Sequence, residues 1–286
     1  MEYEFNNCLY PLGALWITFD SYTQKVQLKR CLWHNPFVEL SIGEYEQIND
    51  IIEYALNFNY SEMTSKEGER DKCKKVCNLP NIIKNVSVSI SHACNLNCYH
   101  CYFDGDHKDS IDQKRVYFST LEKLKGHKLD KILLTDNGEP FIYYDKILSY
   151  LKSLTKEDTL AIEITTNLML LNEERIKKLH DTMVETQINY RWILSLDGIT
   201  KKTFEATRIG ASWEKVCKNV RLITENFCRE NIRISYVIRK PAMKDAPFAK
   251  SFFEKKFRLK TDIYYDFYDE ECKEFFQNLK HLEYLN

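Results

Sequence analysis

Three features are scarce or absent in this sequence of 286 residues: net charge, long apolar runs and repetitive segments. The 42 acidic and 41 basic side chains leave a net charge of −1, so no overall field attracts the chain to nucleic acid or to an anionic membrane. The longest apolar run, residues 9–19, is about half a membrane span and is interrupted by Pro11 and Gly13. We therefore expect neither a membrane nor nucleic acid among the partners.

The first residues do not resemble a secretory signal. Met1-Glu2-Tyr3-Glu4 is acidic where a signal peptide is basic, and no small-residue cleavage site follows. The expected location is therefore the cytoplasm, a reducing compartment. In such a compartment, clustered thiols indicate metal binding or catalysis more often than disulfides.

The sequence does contain enough apolar residues for a core, and its cysteines are unevenly distributed. Hydrophobic residues make up 44% of the chain and charged residues 29%, a composition typical of a folded globular protein. Scattered buried thiols would not explain why seven of the ten cysteines precede residue 102. These seven are Cys8, Cys31, Cys73, Cys77, Cys94, Cys98 and Cys101.

From about residue 80 onward, predicted strands and helices alternate six times. The predicted strands are Val86–Ile90, Lys131–Thr135, Leu160–Thr166, Arg191–Leu196, Arg233–Ile238 and Asp262–Phe267. The predicted helices are Tyr143–Leu154, Asn172–Val184, Trp213–Phe227, Phe248–Phe257 and Glu271–Leu282. This alternation predicts an α/β fold with a parallel sheet and right-handed crossovers. Six units are too few for a complete eight-fold barrel, so we expect a partial (β/α)6 TIM-like barrel over residues 80–286, with reactive residues at the C-terminal strand ends.

Residues 1–79 are predicted to form a separate, small α+β cysteine-rich module. Ala14–Phe19 and Lys25–Lys29 have the pattern of a β-hairpin. Ser41 together with Glu44 predicts a capping box at the start of an amphipathic helix.

Three cysteines follow the first predicted barrel strand with the spacing C-x3-C-x2-C: Cys94, Cys98 and Cys101. Since a closed [4Fe–4S] cluster takes four thiolates, three on one tight loop leave one iron open to another ligand. The alternative is a structural zinc ion, which requires a fourth local ligand. The candidates for that ligand are His92, His100 and His107. Spacing alone leaves both metals open.

Four further motifs follow the cysteines in chain order. They are Asp136-Asn-Gly138-Glu139-Pro140, Thr165-Thr166-Asn167, Ser195-Leu-Asp197-Gly198, and Arg208 within Ala-Thr-Arg-Ile-Gly-Ala-Ser-Trp. Together with the cysteine spacing, they resemble the radical S-adenosylmethionine (SAM) superfamily over about residues 82–270. The first motif is similar to the family's Gly-Gly-Glu-Pro turn, with Asn137 in place of the first glycine.

The resemblance implies a role for each motif. Cys94, Cys98 and Cys101 would hold the catalytic [4Fe–4S] cluster. The implied SAM-binding residues are His100, Gly138, Glu139, Pro140, Asn167, Ser195, Asp197 and Arg208. Among them the turn would receive the SAM amino group, and Arg208 would pair with the SAM carboxylate.

Some of these residues also have structural interpretations. In these alternatives Glu139 is a solvated turn residue and Asp197 is a helix cap. Arg208 is a surface charge, since charged groups are usually exposed.

The four amino-terminal cysteines, Cys8, Cys31, Cys73 and Cys77, supply a second set of thiolates. Their order resembles the SPASM or twitch auxiliary-cluster modules of peptide-modifying radical SAM enzymes, although those modules normally follow the barrel. The resemblance implies a second, auxiliary [4Fe–4S] cluster. A structural zinc site and unliganded core cysteines are the alternatives.

The other three cysteines are expected to contribute to packing. Cys217 and Cys228 are predicted to lie on one helix as small buried residues. Cys272 follows the sixth predicted strand, and a hydrogen-atom donor to a substrate radical is the alternative role for it.

The family resemblance implies an enzyme that reductively cleaves SAM to a 5′-deoxyadenosyl radical and abstracts a substrate hydrogen. The auxiliary cysteines favour a peptide or protein side chain as substrate, modified by oxidation, crosslinking or epimerisation. The alternative is a small metabolite, sugar or nucleobase. A non-catalytic iron–sulfur or zinc protein is a third hypothesis. The enzyme would also need an electron donor such as flavodoxin or ferredoxin.

Overall fold

The computed structural model describes residues 14–20, 22–29, 38–57, 83–99, 101, 107–134, 138–265 and 269–281. Within these ranges the chain is an α/β protein with nine strands and eight α-helices. It divides into two compact units. The first unit contains the described residues up to Ser91 and those within Asp109–Thr135 and Leu154–Ile162. The second unit contains the described residues within His92–Lys108, Asp136–Ser153 and Glu163–Asn286.

The strands are β1 (Ala14–Asp20), β2 (Lys25–Lys29), β3 (Val38–Ser41), β4 (Asn85–Ser89), β5 (Lys131–Leu134), β6 (Ala161–Thr166), β7 (Asn189–Ser195), β8 (Ile232–Ile238) and β9 (Lys260–Tyr265). The α-helices are α1 (Tyr45–Asn57), α2 (Ile111–Lys123), α3 (Tyr144–Ser153), α4 (Glu173–Thr186), α5 (Lys201–Thr207), α6 (Trp213–Asn226), α7 (Ala246–Phe257) and α8 (Glu270–His281). Short 3-10 helices occupy Pro140–Tyr143, Arg229–Asn231 and Lys240–Asp245.

In the first unit the strand order is β3-β2-β1-β4-β5, followed by the start of β6. Strand β1 pairs antiparallel with β2 and parallel with β4, with Leu15 opposite Val86 and Ile17 opposite Val88. Leu15 and Ile17 are fully buried, and their neighbour Trp16 is buried with 5% of its surface exposed. A continuous apolar run of this kind is typical of a strand that is covered on both faces. The antiparallel pairing confirms the predicted β1–β2 hairpin, and the parallel pairing shows that β1 also joins the sheet that contains β4.

Helices α1 and α2 belong to the same unit. Helix α2 begins with a capping box, in which the Ser110 hydroxyl accepts from the Gln113 amide and the Gln113 side chain accepts from the Ser110 amide. Helix α2 was not predicted from the sequence. The predicted cysteine-rich module and the boundary between residues 79 and 80 remain predictions, because Cys8, Cys31, Cys73 and Cys77 lie outside the described residues.

In the second unit the strand order is β6-β7-β8-β9. Strand β8 pairs parallel with both β7 and β9. Helix α4 begins at Asn172, whose side chain accepts from the Arg175 amide at 2.9 Å, as the sequence predicts. The fully buried Trp192 packs against Phe141 and Phe227. Parallel strands alternating with helices agree with the predicted radical SAM partial barrel.

Two of the predicted site residues lie just after the C-terminal ends of strands in this unit. Asn167 directly follows β6, and Asp197 follows β7 by two residues. No helix in the described ranges is long and apolar enough to cross a lipid bilayer.

Candidate functional site

The loop with Cys94, Cys98 and Cys101 is held by backbone hydrogen bonds at its start and in its middle. The Cys94 amide donates to the carbonyl of His107 at 3.1 Å. The Asn97 amide donates to the carbonyl of Ile209 at 3.0 Å, and the Tyr99 amide donates to that of Thr207 at 2.9 Å. The segment that carries Arg208 therefore fixes the middle of the cysteine loop.

A glycine turn holds the start of the same loop. The Glu139 amide donates to the Ala93 carbonyl at 2.7 Å. A Cβ at Gly138 would lie 2.2 Å from that carbonyl oxygen, which no side chain tolerates. The close approach of the two backbones therefore requires glycine at position 138. Pro140 is buried at the start of the 3-10 helix that follows.

Glu139 is buried, with 1% of its surface exposed. Its carboxylate accepts from the Thr166 hydroxyl and the Asn167 amide, both at 2.7 Å, and from the Phe141 amide at 3.4 Å. Burial raises the pKa of Glu139 to about 7, although these hydrogen bonds oppose the shift. The solvated-turn interpretation is therefore wrong, because Glu139 ties the turn to the end of β6.

Asn167 connects the end of β6 to the cysteine loop. Its side-chain nitrogen lies 3.1 Å from Oδ1 of Asn95 and 3.8 Å from Sγ of Cys94. Its side-chain oxygen accepts from the Met169 amide at 2.9 Å. This residue is also buried.

Asp197 and Arg208 form a buried ion pair beside Cys98. The carboxylate oxygen Oδ2 lies 2.7 Å from Nη2 of Arg208, and the two side chains are 0% and 11% exposed. Oδ1 of Asp197 accepts from the Val237 amide, and Nη1 of Arg208 lies 3.9 Å from Sγ of Cys98. The helix-cap and surface-charge interpretations are therefore wrong.

The ion pair also sets the charge state of the arginine. Burial favours a lower pKa for Arg208, but the Asp197 carboxylate beside it outweighs burial and raises the pKa above its usual value. The guanidinium is thus a fixed positive charge beside the cysteine loop. Its Nε atom is buried and makes no hydrogen bond within the part of the chain that the structure describes.

The remaining predicted site residues lie apart from these contacts or outside the described residues. Ser195 is buried at the end of β7, and no hydrogen bond joins it to the other predicted site residues in the described ranges. His100 and the four amino-terminal cysteines lie outside the described residues.

One prediction about the other cysteines is wrong. Helix α6 ends at Asn226 because Phe227 has an extended backbone, so Cys228 is exposed beyond the helix that carries the buried Cys217. Cys272 is fully buried on α8, as expected for a packing residue.

The contacts that position the loop were not predicted from the sequence. Thr166 stood in a quoted motif but had no assigned role, although its hydroxyl binds Glu139. The carbonyls of Thr207 and Ile209 hold the loop through backbone atoms, which leave no signature in the sequence.

Cys94, Cys98 and Cys101 are the three thiols that would hold a [4Fe–4S] cluster with one open iron. Cys94, Cys98 and Cys101 are all partly exposed free thiols. In the described ranges, no three His, Cys, Asp or Glu side chains converge on a single metal ion. In a [4Fe–4S] cluster each thiolate binds a different iron, so the sulfurs need not converge on one point.

Burial affects the protonation of two of these thiols. Burial raises the pKa of Cys94 to about 11 and also raises the pKa of Cys98. These groups therefore hold their protons in the metal-free protein. Ligation requires thiolates, so metal binding releases these protons.

Comparison with known proteins places this chain in a family. A profile of the radical SAM superfamily matches residues 88–245, which is more than half of the chain. A "Probable GTP 3′,8-cyclase" of Methanococcus aeolicus is 28% identical over 163 residues, covering 54% of this chain and 50% of the relative. A protein of the same name from Methanococcus maripaludis is 27% identical over 148 residues, covering 50% of this chain and 46% of the relative. The chain thus spans about half the length of these curated relatives.

Among solved structures, the radical SAM methyltransferase TsrM from Kitasatospora setae, with cobalamin and a [4Fe-4S] cluster bound, has a TM-score of 0.45 and 13% identity. The similarity covers 66% of this chain and 37% of that one. The extent of the profile match shows that this chain belongs to the radical SAM superfamily of enzymes, whose cofactors are S-adenosylmethionine and a [4Fe–4S] cluster.

Proposed function

We propose that this chain reductively cleaves SAM and uses the resulting radical to remove a hydrogen atom from a substrate. The observation that carries the proposal is the cysteine loop, which is fixed between the Gly138–Glu139 turn on one side and Arg208 on the other. When bound, the cluster supplies the electron that cleaves SAM to methionine and a 5′-deoxyadenosyl radical.

The chain's own residues would orient the cofactor. Glu139 fixes the turn that faces the cysteine loop, because its buried carboxylate joins the turn to Thr166 and Asn167. Asp197 holds Arg208 in place as a permanent cation, and a guanidinium suits the carboxylate of an amino-acid cofactor. Such preorganised groups lower the cost of reaching a reactive geometry.

Two substrate classes follow from two different observations. The first class is a peptide or protein side chain, modified by oxidation, crosslinking or epimerisation. It is favoured because the order of Cys8, Cys31, Cys73 and Cys77 resembles SPASM-type modules. A nucleotide or another small metabolite is the second, and the similarity of about half the chain to two "Probable GTP 3′,8-cyclase" proteins favours it.

Deuterium transfer separates the two classes. The reconstituted enzyme would be reduced with SAM in the presence of a peptide fraction, or of a small-metabolite fraction, from cells grown in deuterated medium. GTP deuterated on its ribose is the third arm. Deuterium in 5′-deoxyadenosine from the peptide fraction alone supports the first class, and deuterium from either small-molecule arm alone supports the second. No transfer in any arm, under conditions where SAM is cleaved, contradicts both.

We also propose that the four amino-terminal cysteines hold an auxiliary [4Fe–4S] cluster. Anaerobic reconstitution should then give about eight iron atoms per chain. The variant Cys73→Ala/Cys77→Ala should retain about four. An unchanged iron content in the variant would contradict the second cluster and leave the first one untouched. For electron supply we propose a small protein donor such as flavodoxin or ferredoxin, which would be tested by replacing the chemical reductant with each in turn.

A further inference from the structure

The side chain of Asn167 is buried and forms three contacts that together fix its orientation. Its oxygen accepts from the Met169 amide at 2.9 Å. Its nitrogen donates to Oδ1 of Asn95 at 3.1 Å and reaches Sγ of Cys94 at 3.8 Å.

These contacts define which end of the amide faces the cysteine. The Met169 amide is a donor, so it must meet the oxygen of the Asn167 side chain, and the NH2 group must face Cys94. An NH2 group has two hydrogens, and within the described residues Asn95 and Cys94 take one each. A direct contact from this nitrogen to SAM would require one of these bonds to break.

The backbone of Asn167 is fixed as well. Its amide donates to Oε2 of Glu139 at 2.7 Å, and the preceding Thr166 donates its hydroxyl to Oε1 at 2.7 Å. The buried Glu139 carboxylate therefore fixes the end of β6. The side chain of Asn167 in turn connects the end of β6 to Cys94, the first cysteine of the loop.

We propose that Asn167 is a positioning residue that donates a hydrogen bond to the Cys94 sulfur and thereby raises the reduction potential of the cluster. This inference rests on the proposed function, since it requires the cluster at Cys94, Cys98 and Cys101. Hydrogen bonds to cluster sulfurs are among the factors that set the potential of an iron–sulfur centre.

The direction of the effect follows from charge. Reduction adds negative charge to the cluster and its sulfur ligands, so a donor beside Cys94 stabilises the reduced state more than the oxidised one. Losing one hydrogen bond should lower the ratio of reduced to oxidised cluster at a fixed potential by about twofold to tenfold. The tenfold limit corresponds to about 59 mV for a one-electron couple.

The test is a redox titration of the reconstituted cluster without SAM, followed by EPR of the reduced form and normalised to iron content. Asn167→Asp keeps an acceptor for Met169 but replaces the donor with a negative charge, so it should lower the potential more than Asn167→Ala does. The matched control is Asn219→Ala. Asn219 is a buried asparagine that donates to the carbonyls of Leu168 and Leu171, at 2.8 and 3.0 Å. Among the residues that the structure describes, it makes no hydrogen bond to the cysteine loop.

The expected result is a lower potential in both Asn167 variants and an unchanged potential in Asn219→Ala. An unchanged potential in Asn167→Ala, or an equal shift in Asn219→Ala, would overturn the inference. Weaker SAM binding with an unchanged potential would instead mean that Asn167 contacts only SAM.

A measurement on the wild-type protein covers the case in which the variants do not fold. With 15N placed only in asparagine side-chain amides, pulsed EPR of the reduced cluster should detect a coupled nitrogen. The absence of that coupling would overturn the inference while leaving the proposed function intact. By contrast, a wild-type chain that binds no iron would contradict both.

Discussion

Gly138 offers the sharpest structural prediction, because a single methyl group added there meets backbone on the cysteine loop. In Gly138→Ala the new Cβ would lie 2.2 Å from the Ala93 oxygen and 2.7 Å from the carbonyl carbon of His92. Real Cβ contacts essentially never fall below 3.0 Å, so the backbones must separate by about 0.8 Å or more. The 2.7 Å hydrogen bond from Glu139 to Ala93 lies at the same contact and would lengthen with it.

The size of the effect follows from these two losses. Forcing an extra methyl group into a packed site costs about 1 to 3 kcal/mol, and one lost hydrogen bond costs about 1 kcal/mol. The free energy of unfolding of Gly138→Ala should therefore fall by about 2 to 4 kcal/mol. Since Ala93 directly precedes Cys94, iron loading should fall as well.

The assay is urea unfolding of the metal-free protein, together with an iron determination after reconstitution. Gly43→Ala is the matched control, because the nearest atom to its new Cβ is 4.0 Å away. The control should change stability by no more than about 0.5 kcal/mol. Equal stability and equal iron loading in the two variants would refute the role of the glycine turn.

Three further predictions concern buried groups. Because burial raises the pKa of Glu139 from 4.5 to about 7, the folded state holds this proton more tightly, and the free energy of unfolding should fall as pH rises between these values. In urea titrations at about pH 5 and about pH 7.5, Glu139→Gln should remove this difference in the free energy of unfolding. A difference as large as in the wild type would contradict the raised pKa of Glu139. Asp197→Asn should cost about 3 to 5 kcal/mol by leaving Arg208 buried without a counter-charge, whereas Asp262→Asn, in an exposed pair, should cost about 1 kcal/mol or less. Cys272→Ala should leave 5′-deoxyadenosine formation and product unchanged, and loss of product alone would restore its hydrogen-donor role.

Much of the fold could be predicted because its strands carry local signals. The six predicted barrel strands correspond to β4–β9, each shifted by no more than two residues at its start. The parallel pairing of β1 with β4 could not be predicted, since it joins segments about 70 residues apart and no local pattern specifies such a pairing. Helices α2 and α5 were missed, although Ser110 and Thr200 carry the capping signals at their starts.

The residues of the candidate site could be named from the sequence, but their contacts could not. The cysteine spacing and the strand-end motifs named Glu139, Asp197 and Arg208, which lie in one unit of the fold, whereas their binding of SAM stays a prediction. The sequence could not show that Asp197 holds Arg208, because the two motifs are separated by a helix and their side chains meet only in the folded chain. Nor could it show the donors to sulfur, which depend on side-chain orientation.

The central claim is that Cys94, Cys98 and Cys101 hold the cluster that cleaves SAM. The direct measurement is formation of 5′-deoxyadenosine by the anaerobically reconstituted, reduced chain, compared between the wild type, Cys98→Ala and the exposed-cysteine control Cys228→Ala. We expect 5′-deoxyadenosine from the wild type and from Cys228→Ala, and none above background from Cys98→Ala. Cleavage retained in Cys98→Ala, or absent from an iron-loaded wild type, would contradict the assignment of the cluster to these cysteines.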